Sequence, residues 1–332
     1  IGRLPMHRRL CPWPCLVAPV FNYLLAIIMP YRGMGRGMSS AVPSLNNQQI
    51  PRTMPVCRDA DLVEEFSESI VEEGEMKLWW LTQASWLVKT ATVSIAIDPW
   101  WRDVHCEGHW QKLLGEYPLH PSHFPRLDYV LCTHWHDDHL CPESIPRLAE
   151  AQPWLKFVIP SRSVELVESW GVPSENIISA HGHGPIDLGT LQVWCIPAAH
   201  EELDFDETGA SWYLGYVLHS SGVSLFHMGD GKPWPGWHSA IKKAVSRISS
   251  SDELDVALLC INGNDNLSHQ QAVDLVEKVR PKAVIPMHYG MDPGNTVEPE
   301  IFVKEIEQRA PSQSFRVAKV GEKIAYSNGG IS

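Results

Sequence analysis

Apolar positions come in short, closely spaced runs from residue 76 onward: Met76–Leu81, Trp86–Lys89 and Val93–Ile97 are separated only by brief polar turns. That spacing predicts consecutive strands of antiparallel character. Further strand-like runs are Tyr129–Cys132, Phe157–Ile159, Leu191–Ile196, Tyr213–His219, Val223–Phe226, Val256–Ile261 and Ala283–Pro286. Between the later runs lie stretches of helical period, at Pro142–Ala151, Ser163–Trp170, Ser239–Ile248, His269–Val279 and Glu298–Arg309. Strands alternating with amphipathic helices predict βαβ units, so the chain reads as a mixed-sheet α/β protein. Upstream, Leu62, Val63, Phe66 and Ile70 place a helix over Asp59–Glu73 that packs on the main body.

Composition agrees with a folded core: 44% of the residues are apolar and 20% charged, which excludes global disorder. The amino-terminal part breaks from this pattern. Arg3, Arg8 and Arg9 precede the apolar run 15–29, which resembles a leader but is broken by Pro19 and Asn22 and is short for a membrane span. Residues 1–37 are expected to be dispensable, with Met38 offering a start, and residues 39–58 read as a flexible lead-in. The organisation expected is an atypical segment over 1–58 followed by one catalytic domain over 59–332. Eight cysteines form no C-x-x-C pair, so reduced thiols in a cytoplasmic protein are expected. A net charge of −12 argues against a nucleic acid partner, because a phosphate backbone needs a basic surface.

The unusual count is 16 histidines, and their placement matters more than their number. Thr133-His134-Trp135-His136-Asp137-Asp138-His139 follows the apolar run ending at Cys132. So many imidazoles and carboxylates at one strand end are reconciled by a metal, whose ligands are neutral imidazole and carboxylate. One ion would leave ligands unused, so the spacing points to two. His200, Asp230 and His288 each close a later strand-like run, at the edge where α/β folds gather ligands. His105, His109, His120 and His123 are expected in loops, His181 and His183 in a turn, and His227 behind a ligand, orienting it. The Trp79–Trp80 pair is expected in the core.

H-x-H-x-D-H, a strand-end His, a Gly-Asp and a Pro-x-His, in that order over about residues 75–327, resemble the metallo-β-lactamase superfamily. The resemblance implies an αββα sandwich of two mixed sheets with helices on the outer faces. It also implies one metal on His134, His136 and His200, a second on Asp138, His139 and His288, and Asp230 bridging both. Zn or Mn is favoured and Fe is compatible with the donor set.

Segments such as Leu78–Trp86, Ile97-Asp-Pro-Trp100 and Ala199-His-Glu-Glu202 resemble the L-ascorbate-6-phosphate lactonase branch. Asp230 stands where zinc β-lactamases carry Cys, and the short His200–Asp230 stretch leaves no room for the inserted domain of the nucleases. The expected activity is therefore a metal-dependent hydrolase opening an anionic sugar-acid lactone such as L-ascorbate 6-phosphate, with a phosphodiesterase or other small-substrate metallohydrolase on the same dinuclear site as the alternative. Asp138 is the candidate to hold the nucleophile's proton and pass it to the leaving group. The partner implied is a small anionic substrate, without nucleic acid or stable membrane insertion, and with homo-oligomerisation left open.

Overall fold

The computed structural model describes residues 53–102, 113–327 and 330–332. The leader-like run, Met38, Cys11, Cys15, Cys106, His105 and His109 lie outside those residues. From Thr53 on, the expected lead-in is bound to the body: Thr53 N–H donates to Leu114 O at 2.8 Å and Val56 N–H to Val320 O at 2.8 Å.

The first half of the chain runs α1 (Asp59–Glu68), β1 (Glu75–Thr82), β2 (Ser85–Lys89), β3 (Ser94–Ile97), β4 (Tyr129–Leu131), α2 (Ser144–Ala151), β5 (Lys156–Pro160), α3 (Val164–Ser169) and β6 (Ile177–Ala180). The second half runs β7 (Gly184–Asp187), β8 (Gln192–Pro197), β9 (Leu214–Ser220), β10 (Val223–His227), α4 (Trp237–Ile248), β11 (Val256–Cys260), α5 (His269–Val279), β12 (Ala283–Met287), α6 (Glu300–Arg309) and β13 (Ser314–Phe315). The chain then returns to the first sheet with β14 (Lys323–Ser327) and β15 (Gly330–Ile331). The sheets have the orders β15-β14-β1-β2-β3-β4-β5-β6 and β13-β12-β11-β10-β9-β8-β7.

Each sheet joins an antiparallel part to a parallel one, as the run spacing predicts. β1–β2–β3 pair antiparallel and β3–β4–β5–β6 parallel, while β7–β8–β9–β10 pair antiparallel and β10–β11–β12–β13 parallel. The fold is thus the αββα arrangement of two mixed sheets. Strand β1 shows why its run is continuous rather than alternating: both of its faces are covered. Met76, Leu78 and Trp80 enter the core between the sheets, and Trp79 and Leu81 enter the core under the outer helices. Trp79 packs on Phe66 of α1 with ring centroids 4.7 Å apart, and its indole N–H donates to Glu65 at 3.0 Å. The tryptophan pair is core, as expected.

Several boundaries differ from the pattern, each for a local reason. α4 begins at Trp237 rather than Ser239, because Gly236 at φ 94° supplies the left-handed entry. α1 ends at Glu68, where Ser69 turns extended. The short strands β6, β7, β13, β14 and β15 are not read from the pattern, and Pro185 places β7 at a sheet edge. Cys57, Cys132, Cys141, Cys195 and Cys260 are free thiols. No helix among the described residues is long and apolar enough to cross a membrane.

One buried carboxylate links the sheets. Asp255, just before β11, accepts from Ser224 N–H at 2.8 Å, Ser224 Oγ at 2.9 Å, Lys282 Nζ at 2.8 Å and Tyr326 OH of β14 at 2.7 Å. Burial pushes its carboxyl up, but the bonds from Lys282, Tyr326 and Ser224 outweigh that and hold it below the usual carboxylate range. Its folded value lies below its unfolded value, so its stabilisation is complete above the ordinary carboxylate range and is lost as pH falls through the lowered value. Asp255→Ala should cost about 3 kcal/mol at neutral pH, the order expected for buried donors left unpaired. Urea unfolding of the metal-free protein should show the gap to wild type closing as pH falls below the ordinary carboxylate range, and a pH-independent gap would contradict the assignment.

Candidate metal centre

The seven candidate ligands come from strand ends of both sheets. β4 of the first sheet feeds Thr133 to His139, and β8, β10 and β12 of the second lead to His200, Asp230 and His288. After β4 the chain makes a single tight turn, in which His139 N–H donates to His136 O at 3.0 Å and Leu140 N–H to the same carbonyl at 2.8 Å. That turn places Asp138 and His139 in donor sets separate from that of His136. Gly229 brings Asp230 in at φ 63°, where any Cβ would run into the Leu214 carbonyl, so only glycine fits.

The donor atoms converge in three overlapping sets, each within 4.8 Å: His134, His136 and His200; His134, His139 and Asp230; Asp138, His139 and His288. Every residue expected as a ligand is therefore in the cluster. His139 Nε2 lies 3.3 Å from Asp230 Oδ1 and 3.7 Å from Asp138 Oδ2, and His288 Nε2 lies 3.4 Å from Asp230 Oδ2 and 3.6 Å from Asp138 Oδ2. Both Nε2 atoms are buried without a hydrogen-bond partner. Two orphaned ring nitrogens facing two carboxylates fit a divalent metal, and the set is imidazole and carboxylate without thiolate. Cys260 Sγ donates to Gly229 O at 3.2 Å and to Asp230 Oδ1 at 3.6 Å.

Electrostatics divide the cluster. Burial, with the neighbouring histidines, holds the His134 and His200 rings below the usual histidine range and His136 down to about 4, so these three are neutral and ready to ligate. Burial also lowers His139 and His288, but the charges of Asp230 and Asp138 overcome it, raising His139 well above its ordinary value and His288 to about 9. Burial pushes Asp230 up, yet His288 and His139 keep it well below the carboxylate range.

Sequence reasoning missed the residues behind the ligands. Asp98, at the end of β3 with φ 46°, takes Thr133 N–H at 2.7 Å, Thr133 Oγ1 at 2.7 Å and His139 Nδ1 at 2.7 Å. A carboxylate on Nδ1 fixes the tautomer that leaves Nε2 for a metal. The signal was an acidic residue closing an apolar run, in Ile97-Asp98-Pro99. Gln83, in the β1–β2 turn, holds His288 Nδ1 at 3.1 Å. Tyr213 stacks on His200 with centroids 4.9 Å apart and accepts from Trp135 Nε1 at 3.3 Å.

His227 differs from expectation, because neither of its nitrogens meets a ligand. Nε2 is 2.9 Å from Ala84 O and Nδ1 accepts Gly229 N–H at 3.1 Å, so it anchors the turn before Asp230 through the backbone. His181 and His183 lie in the bend between β6 and β7, and His120 and His123 around a short 3-10 turn, all outside the three ligand sets. Beside the ligands opens a cavity of about 240 Å³ lined by Trp100, Arg102, Leu113, His136, Asp137, Asp138, Asp292 and Asn295.

Residues 77–288 match the Beta-lactamase superfamily domain. The chain is 28% identical over 248 residues to a UPF0173 metal-dependent hydrolase of Caldivirga maquilingensis, covering 74% of this chain and 96% of that protein. A UPF0173 metal-dependent hydrolase of Desulforamulus reducens is 26% identical over 243 residues, covering 72% and 95%. Among solved structures, the metallo hydrolase Igni18 of Ignicoccus hospitalis superposes with a TM-score of 0.58 at 24% identity, covering 76% of this chain and 99% of that one. An isothiocyanate hydrolase from Delia radicum gut bacteria gives 0.58 at 14% identity, with 76% and 99% covered. Fold and ligand cluster together define a metal-dependent hydrolase. The chain belongs to the beta-lactamase superfamily.

Two outcomes follow from the geometry. Metal uptake should release protons from His139 and His288, so apparent affinity should rise as pH is raised toward about 9, measured by titration in weakly buffered solution. Asp98→Asn keeps the shape but turns an acceptor into a donor at His139 Nδ1, and should weaken binding about 10–100-fold. Equal metal affinity in the variant would remove Asp98 from this role.

Proposed function

We propose that the protein hydrolyses a small ester, a lactone first, at a centre of two divalent ions. The observation carrying this reading is the pair of orphaned Nε2 atoms, on His139 and His288, facing Asp138 and Asp230 beside a small cavity. His134, His136 and His200 would hold one ion, Asp138, His139 and His288 the other, with Asp230 shared. Bound there, Zn, Mn or Fe would supply a hydroxide nucleophile at neutral pH and stabilise negative charge developing on the carbonyl oxygen.

The chain's own residues supply the rest. Asp138 lines the cavity and is partly exposed, so its carboxylate is placed to take a proton and return it to the departing alkoxide. Trp100 and Leu113 give the cavity an apolar wall, which excludes water from one side of a ring-shaped substrate. Two ions against Asp138 and Asp230 leave a positive field, which supports an anionic substrate. For a phosphate group the support is thinner. The wall carries Arg102, paired to Asp137 at 2.6 Å, together with the acids Asp137 and Asp292. L-ascorbate 6-phosphate therefore enters as one lactone among several.

The test is a panel of plain, hydroxylated and phosphorylated lactones beside phosphodiesters, run on the metal-loaded chain. Lactone opening is expected, with His288→Ala costing at least ~10²–10³ in rate, the order of one lost oxyanion contact. Asp230→Asn should lose metal and activity together, and His181→Ala should keep both. Cleavage of phosphodiesters alone would replace the lactone reading, and full occupancy in the Asp230 variant would refute the ligand set.

A further inference from the structure

Gln83 sits in the β1–β2 turn with φ 45°, and its backbone and side chain both meet His288. Its carbonyl accepts His288 N–H at 3.1 Å and the Trp80 indole N–H at 2.9 Å. Its side-chain Nε2 lies 3.1 Å from His288 Nδ1, while its Oε1 is buried with no partner. Nε2 of the ring faces Asp138 and Asp230 at 3.6 and 3.4 Å, so Nδ1 is the nitrogen left to the Gln83 amide. A histidine that ligates through Nε2 carries its proton on Nδ1 and needs an acceptor there. The missing acceptor is the orphaned Oε1 of the same amide, half a turn away about its own bond. Among the described residues, Gln83 is the side chain that bonds Nδ1 of His288.

We propose that Gln83 is the positioning residue for the second metal: its amide oxygen Oε1 takes the Nδ1–H of His288 and leaves Nε2 to the ion. The inference rests on the two-ion reading above and concerns one of those ions. Its backbone contacts survive side-chain replacement, because they are made by the Gln83 carbonyl. The side chain can therefore be changed without removing the support of the turn.

The experiment titrates the chelator-stripped full chain with Zn²⁺ against a competing indicator, and with Co²⁺ by its absorption. Gln83→Leu, which offers no acceptor, should weaken one of two equivalents about 10–100-fold and leave the other unchanged. Gln83→Glu, which can only accept, should bind the second ion at least as tightly as wild type. The thermal midpoint of the metal-free protein should match wild type in Gln83→Leu, with only the metal-induced rise reduced. Unchanged affinity in Gln83→Leu, equal weakening of both ions, or weakening in Gln83→Glu would each overturn the proposal. Should Gln83→Leu fail to fold, the Gln83→Glu titration alone decides. Binding of a single ion by wild type would instead overturn the two-ion reading, and the Gln83→Leu and Gln83→Glu effects on that ion would still decide the role of Gln83.

Discussion

The turn Thr82–Ser85 between the first two strands is bonded to loops that carry ligands from both sheets. Gln83 grips His288 through its backbone carbonyl and its amide. The Ala84 carbonyl meets His227, which in turn takes the N–H of Gly229 just before Asp230. Ser85 Oγ bonds the Asp98 carbonyl and accepts Trp100 N–H, and Asp98 holds Thr133 and His139. All of these polar groups are buried, so each must find its partner inside the protein. Gln83, Asp98 and His288 also hold positive φ, a backbone state that costs about 1–2 kcal/mol for a residue with a Cβ. The hydrogen bonds of this hub are what keep three strained residues in register, and strain of this kind collects at functional sites.

The hub also explains why the cluster splits into two electrostatic halves. His134 and His136 lie near His200 and Tyr213, ring against ring, with centroids between 4.6 and 5.9 Å apart. Burial and the neighbouring rings outweigh the pull of Asp230 there, and the imidazoles stay below the usual histidine range. His139 and His288 are more deeply buried than His136 and His200 but face two carboxylates, so in the metal-free protein protons do the work that divalent charge would do. A ligand set of this kind is costly to leave empty, because charge must be balanced among buried groups.

The fold was legible where a strand run was long and where a helix had a clear apolar face. It was not legible in β7, β13 and β15, whose short polar or glycine-bearing sequences pair only because a neighbouring edge is available. The ligand cluster was readable because histidine and aspartate crowd one strand end and recur, singly, at three others. The supporting residues were not. Asp98 and Gln83 are single polar residues at run ends, and nothing in their sequence neighbourhood says which ring they will meet. His227 shows the opposite error: its place ahead of the segment holding Asp230 suggested that it orients a ligand, whereas a strand-end side chain is as free to bond backbone. Pairings of that sort are set by tertiary approach between β1–β2 and β10, which no local pattern encodes.

The arrangement of ligands over the two sheets has an energetic consequence. Each of the three close sets contains at least one residue from the β4 turn of the first sheet and one from a strand end of the second. No set is complete within either sheet, so a metal bound to any of them favours the packed sandwich over separated sheets. By mass action, an ion that binds the folded chain and not the unfolded one adds about 1.4 kcal/mol of stability per tenfold excess over its dissociation constant. The apolar core between the sheets and the Asp255–Tyr326 bond across them already hold the sandwich. Metal is therefore a further tie at one edge rather than the condition for folding. An edge site fixed by the fold but tightened by the ion is what a hydrolase requires, since the ligands must stand in place before substrate arrives.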